Sequence, residues 1–423
     1  MLELQRIREQ KDEMNKLFDA RNIDVSEMLD EVLEIDEERR KTQQELDEVL
    51  TESNKIAKSI GMLFKEGKQE EANKLKAKAP ELKEAAKTLK DKGNDLKEKL
   101  NQLLYQIPNV PNPTVPKGKT DEDNEVVMTK GEFPDLGEHN LPHWELAKKY
   151  NLIDFELGVK ISGAGFPVYL GKGAKLQRAL INFFIDEAEK SGYNEVIPPL
   201  LVNEASGFGT GQLPDKEGQM YHDATDNLYL IPTAEVPITN IFRDVIVDPK
   251  DLPIKKTGYT PCFRREAGSY GKDVRGLNRL HQFDKVEIVQ VAHPSQSYQL
   301  LDEMVEHVKS LLDKLELPYR VLRLCGGDLG FTAALTFDLE VFSVAQERWL
   351  EVSSVSNFET FQANRLKLRF KENGEKPQLA HTLNGSALAL PRIVAALLEN
   401  NQTADGIKIP KALIPYTRFD IIN

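Results

Sequence analysis

The sequence predicts an α+β protein in two parts, a long antiparallel helical hairpin (a coiled coil) and a body built on a mostly antiparallel β-sheet flanked by helices. Three observations predict it. Two heptad-periodic series fill residues 32–63 and 72–103, a proline cluster stops them at 107–116, and short strand-like runs interrupted by few helices follow. The regular βαβ alternation of a doubly wound fold is missing.

In the first series Val32, Ile35, Arg39, Thr42, Leu46, Val49, Ser53, Ile56, Ile60 and Leu63 step by three and four residues. Ala72, Leu75, Ala79, Leu82, Ala86, Leu89, Gly93, Leu96, Leu100 and Leu103 do the same. Such spacing keeps one stripe of each helix against a partner. Lys65-Glu66-Gly67-Lys68 offers a short polar turn, so the two helices fold back on each other, each about 50 Å long at ~1.5 Å per residue. Alanine and glycine on one side of the second seam let the backbones approach, and Arg39, Thr42 and Ser53 interrupt the first seam and set its register. Pro80 lacks an amide hydrogen and predicts a kink or local restart. Pro108, Pro111, Pro113 and Pro116 end the hairpin, and Lys117 to Glu125 reads as a linker. The expected domains are therefore an arm over 1–110 and a body over 111–423.

Within the body, Gly171 to Ser191 reads as a helix with Leu176, Ala179, Leu180, Phe183 and Phe184 on one face, followed by an apolar strand at Glu195 to Val202 broken by Pro198-Pro199. Further strands are predicted at Asn227 to Ile231, Lys256 to Arg264, Leu280 to Val291, Tyr319 to Leu324, Phe337 to Phe342 and Trp349 to Ser353. A helix at Ser295 to Leu315 lies among them, and a C-terminal helix closes the body.

Composition narrows the function. A formal charge of -12 argues against indiscriminate nucleic-acid binding, yet lysines recur from Lys55 to Lys99 while acidic residues dominate from Glu27 to Glu52. The hairpin tip is thus expected to be a narrow basic rod suited to an RNA backbone. No apolar run approaches the ~18 residues of a membrane span and no apolar signal core follows Met1, so a cytoplasmic protein is expected. Cys262 and Cys325 form no C-x-x-C, and no H-E-x-x-H occurs, which leaves buried thiols as the reading. Neither a Walker loop nor a G-x-G-x-x-G after a strand is present, so nucleotide binding by either common parallel-sheet route is not expected.

The residues that carry chemistry are spread along the body. In Thr260-Pro261-Cys262-Phe263-Arg264-Arg265-Glu266-Ala267-Gly268 an apolar strand delivers Arg264 and Glu266 two residues apart, and strand alternation puts both on one face, where they can hold a phosphate and a base. Arg392 follows Pro391, a residue favoured at a helix start, so the helix dipole adds to its own charge. Two fixed guanidiniums can clamp the two ends of a triphosphate.

These segments, with His381-Thr382-Leu383-Asn384-Gly385-Ser386, resemble the second and third motifs of class II aminoacyl-tRNA synthetases. Thr233-Ala234-Glu235, His281-Gln282-Phe283-Asp284-Lys285-Val286-Glu287 and Glu351-Val352-Ser353-Ser354 narrow the resemblance to seryl-tRNA synthetases, over nearly the whole chain. The resemblance implies activation of L-serine with ATP to seryl-adenylate and transfer to the 3′ end of tRNA(Ser), and of tRNA(Sec) where one exists. It implies catalytic roles for Arg264, Glu266 and Arg392, with ATP also contacted by Arg265, Phe283, Glu351, Val352, Ser353 and Ser354. Serine would meet Thr233, Ala234, Glu235, Arg264, Glu287, Asn384 and Ser386, and Mg2+ would be held by Glu351 and Ser354. It further implies that the arm grips the long variable arm of the tRNA, and that helix 171–191 and its strand build a homodimer interface.

The attacking carboxylate is ionised at neutral pH, so activation needs alignment and charge stabilisation rather than a base. His281 and His381 accordingly read as structural. Some positions depart from the common text of the family: Tyr270 and Val274 in the loop Ser269 to Arg275, Val355 in place of a cysteine, and Leu390-Pro391 in place of Val-Gly. Two rival readings are a related ligase that loads a carrier protein, and a non-catalytic RNA-binding paralogue. Relatives of the first kind generally lack the long arm, and the second would be expected to lose one of Arg264, Glu266, Glu351 or Arg392.

Overall fold

Both heptad seams become the buried line between two long helices. In the computed structural model of the chain, which describes residues 1–137, 139–266 and 275–423, α1 spans Leu4–Phe18, α2 Ser26–Lys65 and α3 Gln69–Leu104. Every seam position of α2 and α3 is buried or half-buried while residues on the outer face are exposed. The α2–α3 turn uses Gly67 at φ +78°, a conformation that costs glycine little. The expected restart at Pro80 does not occur, for α3 runs through it. Pro80 and Lys76 both lie on the exposed face, so water can satisfy the Lys76 carbonyl that proline leaves without a donor.

Compact packing divides the chain into two units: Leu2–Lys16 with Asp24–Pro108, and Met1 and Leu17–Ile23 with Asn109–Asn423. In the first unit Asp36, 2 % exposed, accepts bonds from Arg8 Nε at 2.8 Å and Arg39 Nη2 at 2.8 Å. Those two cations hold its carboxyl below the usual range against the opposing effect of burial. Arg39, an interruption in the seam by sequence, therefore serves a buried ion cluster.

In the second unit Arg21 is nearly buried and donates to four backbone carbonyls: Nε to Asn109 at 3.0 Å, Nη1 to Leu329 at 2.7 Å, and Nη2 to Gly330 at 3.0 Å and Ala333 at 2.7 Å. Burial lowers its pKa to about 10, which leaves it charged at neutral pH. Arg21→Met would strand those acceptors, and is expected to cost on the order of 3 kcal/mol. A denaturation midpoint equal to wild type would refute that role.

The sheet of this unit has eight strands: β1 Glu125–Lys130, β2 Asn194–Glu195, β3 Ile254–Phe263, β4 Gln282–Ala292, β5 Tyr319–Arg323, β6 Leu335–Ser343, β7 Arg348–Asn357 and β8 His381–Ala389. Their spatial order is β1-β5-β6-β7-β8-β4-β3-β2, antiparallel except for the short β2–β3 pairing. The strand expected over Glu195 to Val202 survives only as β2 and a separate piece at Leu201–Asn203, because Pro198 and Pro199 have no donors for a ladder. Helices α4 His143–Lys149, α5 Gly171–Lys190, α6 Ser297–Lys314 and α7 Leu390–Asn400 accompany the sheet. Leu180 and Phe184 of α5, Met304 and Val308 of α6 and Ile393 and Leu397 of α7 share one core with Val286, Ile288, Leu339, Val341 and Leu383 of the sheet. That core covers one face, and the alternate residues of β4, β6 and β7 line the other. Among the described residues no helix is long and apolar enough to cross a membrane.

Candidate active site

Register brings the two arginines together. β3 ends at Phe263 opposite Gln282 of β4, and β8 ends at Ala389 opposite Lys285 of the same strand. Arg264 thus leaves the sheet beside His281 on one side of β4 and α7 starts beside Asp284 on the other, so the two ends bracket Phe283. The Arg264 guanidinium lies over the Phe283 ring at 5.2 Å, and its Nε donates to the Pro232 carbonyl at 3.3 Å. Arg392 occupies the first turn of α7, where Nε donates to Asn278 O at 3.2 Å and Nη1 to Glu351 O at 2.6 Å.

Strand alternation does not account for Glu266. β3 stops before Arg264, and Glu266 sits at φ +47°, outside extended geometry. Its carboxylate pairs instead with Arg279 at 2.9 Å, a third guanidinium that the sequence reading did not single out. Glu266, Arg275, Arg279 and His281 line a cavity of about 770 Å³ together with Trp144 and Phe166. Arg265 lies over Tyr221 at 5.6 Å. The departures Tyr270 and Val274, and Ala267 and Gly268 of the motif, fall outside the described residues.

Next to this platform is a buried polar cluster. On β4 the alternation Phe283, Lys285, Glu287 points these side chains to one face, and Glu287 is fully buried. Glu287 accepts from Thr233 Oγ1 at 3.0 Å and Asn384 Nδ2 at 2.7 Å, and pairs with buried Lys285 at 2.6 Å. Ser386 is its cross-strand partner on β8, and Ser353 Oγ donates to Ser386 O at 2.6 Å. Thr233 Oγ1 also accepts from Glu235 N at 3.2 Å, and the Glu235 carboxyl accepts from Gln362 Nε2 at 2.6 Å. Buried Ala234 fills the turn between them. Lys285 and Gln362 were not singled out in the sequence, although Phe-x-Lys-x-Glu alternation carried a signal for the first.

Burial pushes the Glu235 carboxyl up to about 7, and the charge of Glu287 adds to that shift. The folded value lies above the unfolded ~4.3, so stability from the neutral carboxyl is full below about pH 4 and is lost as pH rises through about 7. Glu235→Gln keeps a neutral acceptor for Gln362. It is expected to gain on wild type by on the order of 3 kcal/mol between about pH 4 and 7.5. Unfolding midpoints that stay parallel over that range would contradict this.

Glu351 and Ser354 are three apart, a spacing that puts side chains on opposite faces of a regular strand. Here β7 carries a bulge: Ser354 pairs with Asp338 and Ser353 with Leu339, but Glu340 pairs with Glu351. The extra residue Val352, buried in the core, restores Glu351 to the face of Ser354, Asp338 and Glu340. One oxygen of Asp338 is sealed from solvent with no hydrogen-bond partner. Burial and the charge of Glu351 raise its carboxyl well above the ordinary range, and Ser354 opposes that shift. Among the described residues no three His, Cys, Asp or Glu side chains form a metal cage. Mg2+ is a hard cation that takes one or two carboxylates and completes its shell with phosphate and water. The oxygens of Glu351 and Ser354, with the orphaned Asp338 oxygen behind them, fit that ion. His381 is tied to Ser297 at 2.7 Å and His281 to Tyr221 at 2.9 Å.

An antiparallel sheet with two arginines flanking a central strand beside a carboxylate face defines a class II aminoacyl-tRNA synthetase core. Residues 219–401 match the family model of the tRNA synthetase class II core domain (G, H, P, S and T). Residues 1–111 match that of the seryl-tRNA synthetase N-terminal domain. The chain is 53 % identical over 421 residues to a serine–tRNA ligase of Salinibacter ruber, covering 99 % of this chain and 98 % of that one. It is 48 % identical to that of Alkaliphilus oremlandii, covering 99 % and 98 %. The crystal structure of Pyrococcus horikoshii seryl-tRNA synthetase complexed with ATP superposes with a TM-score of 0.90 at 35 % identity, covering 100 % and 99 %. The chain belongs to the seryl-tRNA synthetase family, enzymes that charge tRNA with serine.

Proposed function

We propose that the chain activates L-serine with ATP to seryl-adenylate and then transfers serine to the 3′ end of tRNA(Ser), and of tRNA(Sec) where the cell has one. The observation that carries this reading is that Arg264, over Phe283, and the start of α7, which bears Arg392, lie on opposite sides of β4, beside the buried polar cluster around Glu287. The serine carboxylate attacks the α-phosphorus, the bond to the bridging oxygen breaks, and pyrophosphate departs with its electron pair. Arg264 holds the α-phosphate against the carboxylate, Phe283 stacks on adenine, Glu266 accepts from the adenine amino group, and Arg392 holds the γ-phosphate. Arg265, Val352 and Ser353 complete the nucleotide surface. Mg2+ at Glu351 and Ser354 would neutralise charge on the phosphate oxygens.

Thr233, Ala234, Glu235, Asn384 and Ser386 form the serine pocket, and Glu287 counters the substrate ammonium. Because these groups are buried and polar, an analogue without a hydroxyl would leave them unpaired, which discriminates more strongly than an apolar pocket does. The ATP complex of the Pyrococcus relative supports the nucleotide assignment. We further propose a cytoplasmic homodimer, with residues 1–110 as the tRNA-binding arm and 111–423 as the catalytic domain. Ile197 at 86 % exposure, with exposed Leu200, Leu201, Ile241 and Ile246, supports an apolar contact surface between copies.

The test is serine-dependent ATP–pyrophosphate exchange, followed by charging of tRNA(Ser) with and without its long variable arm. Exchange stimulated better by another amino acid would overturn the substrate assignment.

A further inference from the structure

We propose that the buried His143–Glu399 pair, relayed through Gln346, positions Asn278 and through its carbonyl sets the Arg392 guanidinium for the triphosphate. This rests on the nucleotide reading above. Glu399 lies on α7 about two turns beyond Arg392 at ~3.6 residues per turn, and it is fully buried. It accepts from His143 N at 2.8 Å, His143 Nδ1 at 2.7 Å, Gln346 Nε2 at 2.9 and 3.0 Å, and Ser343 Oγ. Burial alone would raise its pKa, but the bonds from His143 and Ser343 outweigh burial and leave it below the ordinary range.

The other end of the imidazole fixes its tautomer. Leu277 N donates to His143 Nε2 at 2.8 Å, so Nε2 is bare and Nδ1 carries the hydrogen toward Glu399. Gly276, at φ +66°, packs so closely that a Cβ there would fall 2.1 Å from Nε2. Arg275 lies over Trp144 at 4.6 Å. The first two residues of α4 thus grip 275–277. Asn278 follows directly, its Nδ2 donating to Gln346 Oε1 at 2.9 Å. Its carbonyl is one of the two that hold Arg392.

The relay therefore begins and ends on α7, and it threads four separated segments of the chain. A buried carboxylate is a poor source of stability compared with apolar packing of the same volume. A fully satisfied polar network does impose one arrangement on the groups it touches. Here the group at its end is the guanidinium assigned to the γ-phosphate.

The test uses the full-length chain carrying Gln346→Met, which keeps the volume and removes both relay bonds. KM for ATP in the exchange reaction is expected to rise about tenfold while KM for serine stays within about twofold, the scale of one net hydrogen bond. Direct titration with ATP should show the same loss. In an Arg392→Ala background, Gln346→Met should cause no further loss of ATP affinity, since the relay would have nothing left to position. Should Gln346→Met fail to fold, Asn278→Ala carries the same expectations. An unchanged ATP affinity, equal changes for ATP and serine, or independent effects in the double variant would overturn the proposal. A wild-type chain without serine-dependent exchange would overturn the functional reading instead, and the ATP titrations would still decide the relay.

Discussion

Arg264→Ala is expected to lower kcat/KM for serine-dependent ATP–pyrophosphate exchange about a thousandfold, the usual scale for removing a preorganised group that stabilises transition-state charge. The physical basis is local. Arg264 emerges just past the end of β3, rests on Phe283 at 5.2 Å and is steadied through Nε by the Pro232 carbonyl. It therefore meets both halves of the site, the stacking platform on one side and the pocket of Glu235 and Glu287 on the other. Its charge is felt at Glu235, where it opposes the upward shift of that carboxyl. Arg264→Lys is expected to restore little, because an ammonium supplies a point charge without the planar fork. Since most of the β3–β4 ladder lies before residue 264, the unfolding midpoint should move little. Exchange within tenfold of wild type would remove Arg264 from the chemistry.

How much of this was legible in the sequence depends on the range of the interaction. The seams of α2 and α3 were readable because a three-four spacing is a local property of a helix. The ion cluster at Asp36 was not, since Arg8 comes from α1, twenty-eight residues earlier, and no local pattern links the two. Five of the seven strands read from the sequence lie within about two residues of the observed ends, the ordinary precision of such readings, whereas β1 and β8 were not read as strands. At the site, alternation along β4 could be read in Phe283, Lys285 and Glu287. Alternation from Arg264 to Glu266 was expected too and failed, because the strand stops at Phe263.

Glu351 and Ser354 show the same limit from the other side. By spacing alone they belong on opposite faces, and only a bulge at Val352 reunites them. Nothing local announces that bulge, so the pairing was available only through resemblance to a family. Asp338 shares the polar side of the alternating run Leu335 to Val341 with Thr336 and Glu340, and its meaning depends on Ser354 across the ladder. Arg279 lies outside any regular element, and its pairing with Glu266 is a contact that no periodicity predicts. His143 and Glu399 stand at opposite ends of the body. No periodicity links them, and only the folded chain makes them neighbours.

Removal of the distal hairpin is expected to separate the two half-reactions. Contacts between Glu38 and Lys92 and between Thr42 and Gly93 set the register of α2 against α3, which brings residue 52 opposite a position near 82. Replacing 52–82 by a short Gly-Ser turn therefore shortens both helices together and leaves the buried ends at Leu29, Val32, Leu96 and Leu100 intact. The lost segment carries Lys55, Lys58, Lys65, Lys68, Lys74, Lys76 and Lys78 against Glu52, Glu66, Glu70, Glu71 and Glu81, a local excess of cations in a chain whose net charge is -12. Double-stranded RNA is met chiefly through backbone and shape, so loss of these cations removes affinity without altering chemistry. Exchange should stay within about twofold of wild type, while kcat/KM for charging tRNA(Ser) falls about a hundredfold. The fall should shrink for a tRNA lacking the long variable arm, since that substrate would have nothing for the rod to hold. Equal losses in exchange and charging would instead mean that the hairpin supports the fold of the catalytic domain.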